Sequence, residues 1–211
     1  MNARAPFSVG ASPRTLRVGF TLLELLAVIA IIAILAAIAV PSVTSARTAA
    51  AKARTRSQFA QWTLACAQFR QEYGFYPALG TDGRIATVED TQAFIRVLTG
   101  RNPDGGMVVN PADLGGNTRR IAFLSLAASD LQSGRFTDAF GNVEFGVLAD
   151  RDGDGVIRPG VDGDVADLTS LEGVRVTPSS TDLPSTGIRA GVIFYSAGRG
   201  VSADDLVLSW R

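Results

Sequence analysis

Asp150-Arg151-Asp152-Gly153-Asp154-Gly155-Val156-Ile157 places carboxylates at alternate positions with glycine sixth. This is the arrangement that opens a calcium-binding loop: a tight bend turns alternate side chains inward, glycine permits the bend, and the Val156 carbonyl adds an oxygen. The position where a closing Glu would stand holds Val161, so Asp162 or Asp164 must complete the shell from shifted positions. The candidate metal ligands are therefore Asp150, Asp152, Asp154, Val156, Asp162 and Asp164, with calcium as a structural cofactor. The competing reading is a solvated acidic turn. Calcium would stabilise the folded state by linkage, in a chain whose single Cys66 cannot form an internal disulfide.

Other chemistry is sparse. With no histidine in the chain, the commonest general base and the commonest zinc ligand are both missing. Cys66 has no histidine to activate it and falls on an apolar helical stripe, which marks a small core side chain rather than a nucleophile. No phosphate loop and no nucleophile elbow is present. The chain reads as a structural subunit, not an enzyme.

One further carboxylate is out of place. Residues 20–40, FTLLELLAVIAIIAILAAIAV, carry a single charge, Glu24, and at about 1.5 Å per residue are long enough to cross a hydrocarbon core of about 30 Å. A carboxylate inside a membrane costs about 3 kcal/mol unless it is paired or reaches the interface. Glu24 thus either snorkels at the cytoplasmic boundary or meets a cation. A secretory signal would be shorter and would end in a small-residue cleavage site, whereas this run is followed by Pro41 and a helical pattern.

Charge polarity orients the span. Residues 1–72 hold eight Arg or Lys against Glu24 and Glu72, a net +6, while the remainder holds 12 basic and 18 acidic residues, a net −6. Arg4, Arg14 and Arg17 precede the span with no acid among them, which keeps that end cytoplasmic by the positive-inside tendency; Arg47 to Arg56, beyond the span, oppose it. The acidic remainder argues against nucleic acid as a partner.

Ser42 to Tyr73 lacks Gly and Pro and extends the helix, with Phe59, Trp62, Cys66, Phe69 and Tyr73 on one face suited to packing on a sheet. Gly74 and Pro77 end it. Thr87-Val88-Glu89-Asp90 predicts a capping box opening a short amphipathic helix that carries Phe94, Ile95, Val97 and Leu98 and stops at Gly100. Residues 101–118 read as loop, and Ile121 to Leu131 fits neither helical nor strand period. Strand-like runs follow at Val143 to Leu148, Val174 to Thr177, Ile188 to Tyr195 and Leu206 to Trp210. The predicted class is α+β: one long N-terminal helix, half transmembrane and half amphipathic, packed on a small antiparallel sheet.

Gly19-Phe20-Thr21-Leu22-Leu23-Glu24 followed by an apolar helix resembles the cleavage and methylation motif of type IV prepilins and type II secretion pseudopilins, and among these the major pseudopilin. The resemblance implies that a prepilin peptidase cuts after Gly19 and N-methylates Phe20. It implies, too, that Glu24 pairs with the free amino terminus of a neighbouring subunit's first residue, and that Pro41 is a helix-breaking proline; a simple end-of-span proline is the alternative. The implied domains are a cleaved cytoplasmic leader (1–19), a transmembrane assembly helix (20–41), its amphipathic continuation (42–73) and a periplasmic pilin-like α+β domain (74–211). Tyr73 to Pro77, Asp138-Ala139-Phe140-Gly141-Asn142 and Ser196-Ala197-Gly198-Arg199-Gly200 with Asp204-Asp205-Leu206 resemble further family segments. In the last, Arg199 stands where the family commonly has an acid.

The function so implied is a subunit that polymerises into a periplasmic pseudopilus supporting type II protein secretion. Its implied partners are copies of itself in a helical filament, minor pseudopilins, the prepilin peptidase and an inner-membrane secretion platform. The calcium-like loop together with a lone cysteine favours this over a type IV pilin, many of which close a loop with a disulfide. The alternatives are a major or minor type IV pilus subunit, a DNA-uptake pilin, or a membrane-anchored calcium-dependent binding module.

Overall fold

The computed structural model describes residues 19–127 and 130–211; Arg4, Arg14 and Arg17 of the expected leader lie outside them. The chain divides into two compact units between Ser45 and Ala46. The helix α1 (Leu22–Tyr73, 52 residues) contributes to both.

In the first unit α1 exposes Leu22, Leu23, Leu26, Ile29, Ile32, Leu35 and Ile38, a helix apolar all round with nothing packed on it among the described residues. A helix of that composition belongs in a membrane or a large core, and by length and composition this one is able to span. Pro41 does not interrupt it: the helix runs on through residue 41. A proline costs a helix interior about 3 kcal/mol, and the helix is nevertheless continuous here. The Ser42 hydroxyl donates to the Ile38 carbonyl at 3.1 Å, adding a bond in the turn where proline contributes none.

In the second unit the rest of α1 is one wall of the core. Phe59, Trp62, Ala65, Cys66 and Phe69 are buried on one face, as their spacing predicts. They meet a four-stranded antiparallel sheet of order β1-β4-β7-β8, formed by Arg84–Ile85, Phe145–Ala149, Val192–Ser196 and Val207–Leu208. Its centre is the β4–β7 pair, in register from Phe145↔Ser196 to Ala149↔Val192. Trp62 lies 4.9 to 5.4 Å, ring centre to ring centre, from Phe136, Phe94, Phe145 and Phe194. Each such buried aromatic contributes about 1.5 to 3 kcal/mol. Cys66 sits inside this cluster, and burial pushes its thiol up to about 12.

The helix α2 (Val88–Thr99) starts at the predicted capping box: Thr87 Oγ1 accepts from the Asp90 amide at 3.0 Å, and Asp90 accepts from the Thr87 amide at 3.0 Å. It ends at Gly100, whose φ of 68° is left-handed. Predicted strands shrink or shift. Val143 to Leu148 becomes β4, Ile188 to Tyr195 becomes β7, Val174 to Thr177 is reduced to β6 (Arg175–Val176), and Leu206 to Trp210 is reduced to β8. β6 pairs with β5 (Leu168–Thr169), and β2 (Leu131–Gln132) with β3 (Arg135–Phe136), as two-residue hairpins. The predicted loop at 101–118 contains a 3-10 helix, Pro111–Leu114, capped by Asn110.

A buried polar knot ties these parts together. The Asp138 carboxylate accepts from the amides of Phe140 and Asn142 (2.8 Å each), from Asn142 Nδ2 (2.9 Å) and from Ser196 Oγ. Asn142 also donates to the Gly198 carbonyl at 2.6 Å and accepts from the Leu171 amide at 2.8 Å. The next amide, Ala139, donates to Thr55 Oγ1 on α1 at 3.2 Å. One turn thereby fastens α1, the end of β7 and the β5–β6 hairpin.

Candidate functional site

Gly19 and Phe20 precede the first turn of α1; Phe20 is exposed, and a side chain on Gly19 would meet nothing within 4 Å. Thr21 caps the helix that follows: its hydroxyl accepts from the Glu24 amide at 3.1 Å, and Glu24 Oε2 accepts from the Thr21 amide and hydroxyl at 2.9 Å each. Thr-x-x-Glu is a capping-box pattern, which the sequence reading overlooked by treating Glu24 only as a buried charge. The carboxylate thus has a local partner in the single chain, and it sits at the positive end of the helix dipole.

The acidic loop follows β4. Asp150 is 4% exposed, with Oδ1 accepting from the Gly153 amide (2.8 Å) and Oδ2 from the Gly155 amide (3.0 Å). Gly153 and Gly155 take φ of 79° and 83°, a conformation that favours glycine at both. Asp162, 1% exposed, closes the loop from its far side by accepting the Arg151 and Arg158 amides at 2.8 and 2.7 Å. Carboxylate oxygens of Asp150, Asp152 and Asp162 come within 4.8 Å of one another. All are oxygen donors, suited to a hard cation, and an oxygen that accepts one amide retains a second lone pair.

Two other predicted ligands, Asp154 and Asp164, lie apart from this group. Asp154 pairs with Arg158, whose hydrogen bond, with that of the Val156 amide, holds the Asp154 carboxyl below the usual carboxylate range. The Val156 amide donates to Asp154 Oδ1 at 2.7 Å. Asp164 is exposed and lies outside the three-carboxylate group. A cation absent from the sequence reading enters from α1: Arg70 Nη1 is 3.5 Å from Asp150 Oδ2, donates to Tyr76 Oη at 3.0 Å, and the guanidinium lies 4.6 Å from the centre of the Tyr76 ring. Only the fold could reveal it, because Arg70 and Asp150 are eighty residues apart.

In the C-terminal segment Arg199 Nη2 stands 3.4 Å from Asp205 Oδ1, so that this loop carries its own cation.

Residues 19–40 match the family model described as the prokaryotic N-terminal methylation motif. No curated protein and no solved structure matches the chain. The motif implies processing by a prepilin peptidase and assembly into filaments, and with the α+β fold behind a single long helix it supports a type IV pilin-like family for this chain.

Proposed function

We propose that the chain is a structural, non-catalytic subunit of a type II secretion pseudopilus, anchored in the inner membrane with its soluble unit in the periplasm. The methylation motif at residues 19–40 carries this reading. Cleavage after Gly19 would leave Phe20 as the first residue. Its amino group would lie one turn from Glu24, whose carboxylate is held at the same helix end by Thr21. In an assembled bundle that carboxylate can pair with a neighbour's amino terminus, and a charge that is costly alone in the membrane becomes a register for stacking. The preference for a secretion pseudopilus over a pilus rests on the single, buried Cys66, which closes no disulfide loop. Deleting the chain from its own bacterium separates the two: a secretion subunit leaves exported enzymes trapped in the periplasm, whereas a pilus or uptake subunit abolishes surface pili or transformation with secretion intact.

A second reading concerns the loop alone. The approach of Asp150, Asp152 and Asp162 to within 4.8 Å favours a structural calcium there, with Asp154 committed to Arg158 and left outside the shell. Calcium would take up the charge that Arg70 partly balances at Asp150.

A further inference from the structure

The soluble unit carries two like-charged patches that it does not neutralise. Arg47 and Arg54 are exposed and seven residues apart on α1, on one side of the helix and separated by about 10 Å of rise. Neither is in an ion pair among the described residues, although Asp130 lines the same groove as Arg54. Lys52, by contrast, donates to the Asp204 carbonyl at 3.3 Å. The second patch is acidic. Asp82, at the tip of a turn with φ of 49°, and Asp164 are both exposed, and they are brought together because Gly83 packs against the Asp164 carbonyl, where an added Cβ would come within 2.7 Å of that oxygen. Neither is in an ion pair among the described residues. Of the nearby cations, Arg70 faces Asp150 and Arg158 faces Asp154, while Arg84, half-buried in β1, and Arg151, whose guanidinium lies beside Gly163, form no ion pair with either aspartate among the described residues.

The patches cannot meet within one chain. Asp82 and Gly83 share a cleft with Arg70, which is sixteen residues along α1 from Arg54 and twenty-three from Arg47, about 24 and 35 Å of helix. A surface positive at one end and negative at the other is complementary to a second copy either head to tail or antiparallel about a two-fold; where every copy's α1 is anchored the same way up, as in the filament reading, only the head-to-tail contact is possible, and it propagates as an open filament. Arg47 and Arg54 run against the positive-inside bias of the span, so they are cations whose position calls for a partner.

We infer that soluble units of neighbouring copies stack head to tail, with Arg47 and Arg54 of one copy meeting Asp82 and Asp164 of the next. This rests on the filament reading and names the surfaces that make the contact. Because the contact is electrostatic and solvent-rimmed, it weakens as salt shortens the screening length toward about 3 Å at 1 M.

The test uses the full chain in a host that processes and assembles it. Reversing Arg47→Glu with Arg54→Glu, or Asp82→Arg with Asp164→Arg, lowers sedimentable filament about ten-fold. Combining all four reversals in one chain restores it. A chain carrying Arg54→Cys and Asp164→Cys gives a ladder of disulfide-linked multimers on mild oxidation, and either single variant does not, since Cys66 is buried. Arg47, Arg54 and Asp164 are exposed, so their variants keep the wild-type melting temperature; Asp82, at a left-handed φ that favours aspartate over arginine, is tested also as Asp82→Asn, which removes the charge and keeps the turn, so loss of folding is recognised separately. Unchanged filament yield after either pair of reversals overturns the inference. So does an arginine-pair defect that the aspartate reversals fail to repair, the result expected if those arginines serve anionic lipid headgroups. A wild-type chain that never forms filaments overturns the filament reading itself, whereas filaments that ignore these charges overturn only the stacking contact.

Discussion

Replacing Asp138 by alanine removes a carboxylate that is 6% exposed and accepts four hydrogen bonds, two from backbone amides, one from Asn142 and one from Ser196. Each donor left buried without an acceptor costs about 1 kcal/mol net, and relief from burying the charge returns part of the total. The expected loss is about 3 kcal/mol. At roughly 2 to 4 °C per kcal/mol for a unit of this size, the melting temperature falls by about 10 °C. Tryptophan fluorescence of the full chain in detergent reads the transition, because Trp62 lies two turns along α1 from Thr55, which accepts from the Ala139 amide. Asp138→Asn, which keeps the shape and one carbonyl acceptor, costs about half as much. A fall below about 2 °C for the alanine variant would refute the view that this turn fastens α1 to the sheet.

Three other perturbations have defined outcomes. Gly146→Ala puts a methyl where it would stand 1.9 Å from Tyr195 Cζ; the ring must move from its bond to the Ala166 carbonyl (2.9 Å), and a loss of about 2 kcal/mol or more is expected in urea denaturation. Burial pulls the Asp90 carboxyl up, but hydrogen bonds from the Thr81 hydroxyl and from Thr87 and Ala86 outweigh it and hold the group below its ordinary value. The stability so gained is complete above an unfolded pKa of about 4 and is lost as pH falls through the lower folded value. Asp90→Asn therefore removes part of the acid-side slope of a stability–pH profile, along with about 1 kcal/mol of helix capping. Calcium raises the melting temperature of the wild-type chain, excess chelator reverses the rise, and Asp150→Asn with Asp162→Asn abolishes it; a melt indifferent to both reagents leaves the loop a solvated turn.

The α+β class was legible in the sequence because its two main signals are long-range regularities: an apolar run to Val40 broken only by Glu24, and the three-and-four spacing of Phe59, Trp62, Cys66 and Phe69. The Thr87–Asp90 capping box was legible for the opposite reason, being wholly local. Strand limits were not. β5, β6 and β8 are two-residue pairings decided by contacts across the chain, among them Leu168↔Val176 and Tyr195↔Leu208, and no periodicity survives in so short a run. Of Ile121 to Leu131, residues 121–127 take no regular structure and are held by Phe123 and Leu124 amides donating to the Leu98 carbonyl. At the acidic loop, the alternation of aspartates located Asp150 and Asp152 but could not choose between Asp162 and Asp164 to close it. Burial and the two amides of Arg151 and Arg158 place Asp162 beside them.

The central claim is that residues 19–40 act as a prepilin-type processing and assembly signal. Intact-mass and N-terminal peptide mass spectrometry of the chain recovered from membranes, with and without a co-expressed prepilin peptidase, tests it most directly. The peptidase should yield a chain that begins at Phe20 and carries one methyl group on its amino terminus, and a bulky replacement of Gly19 should leave the leader attached. A chain that retains the leader beside an active peptidase, or is cut at a site other than the Gly19–Phe20 bond, would contradict the account.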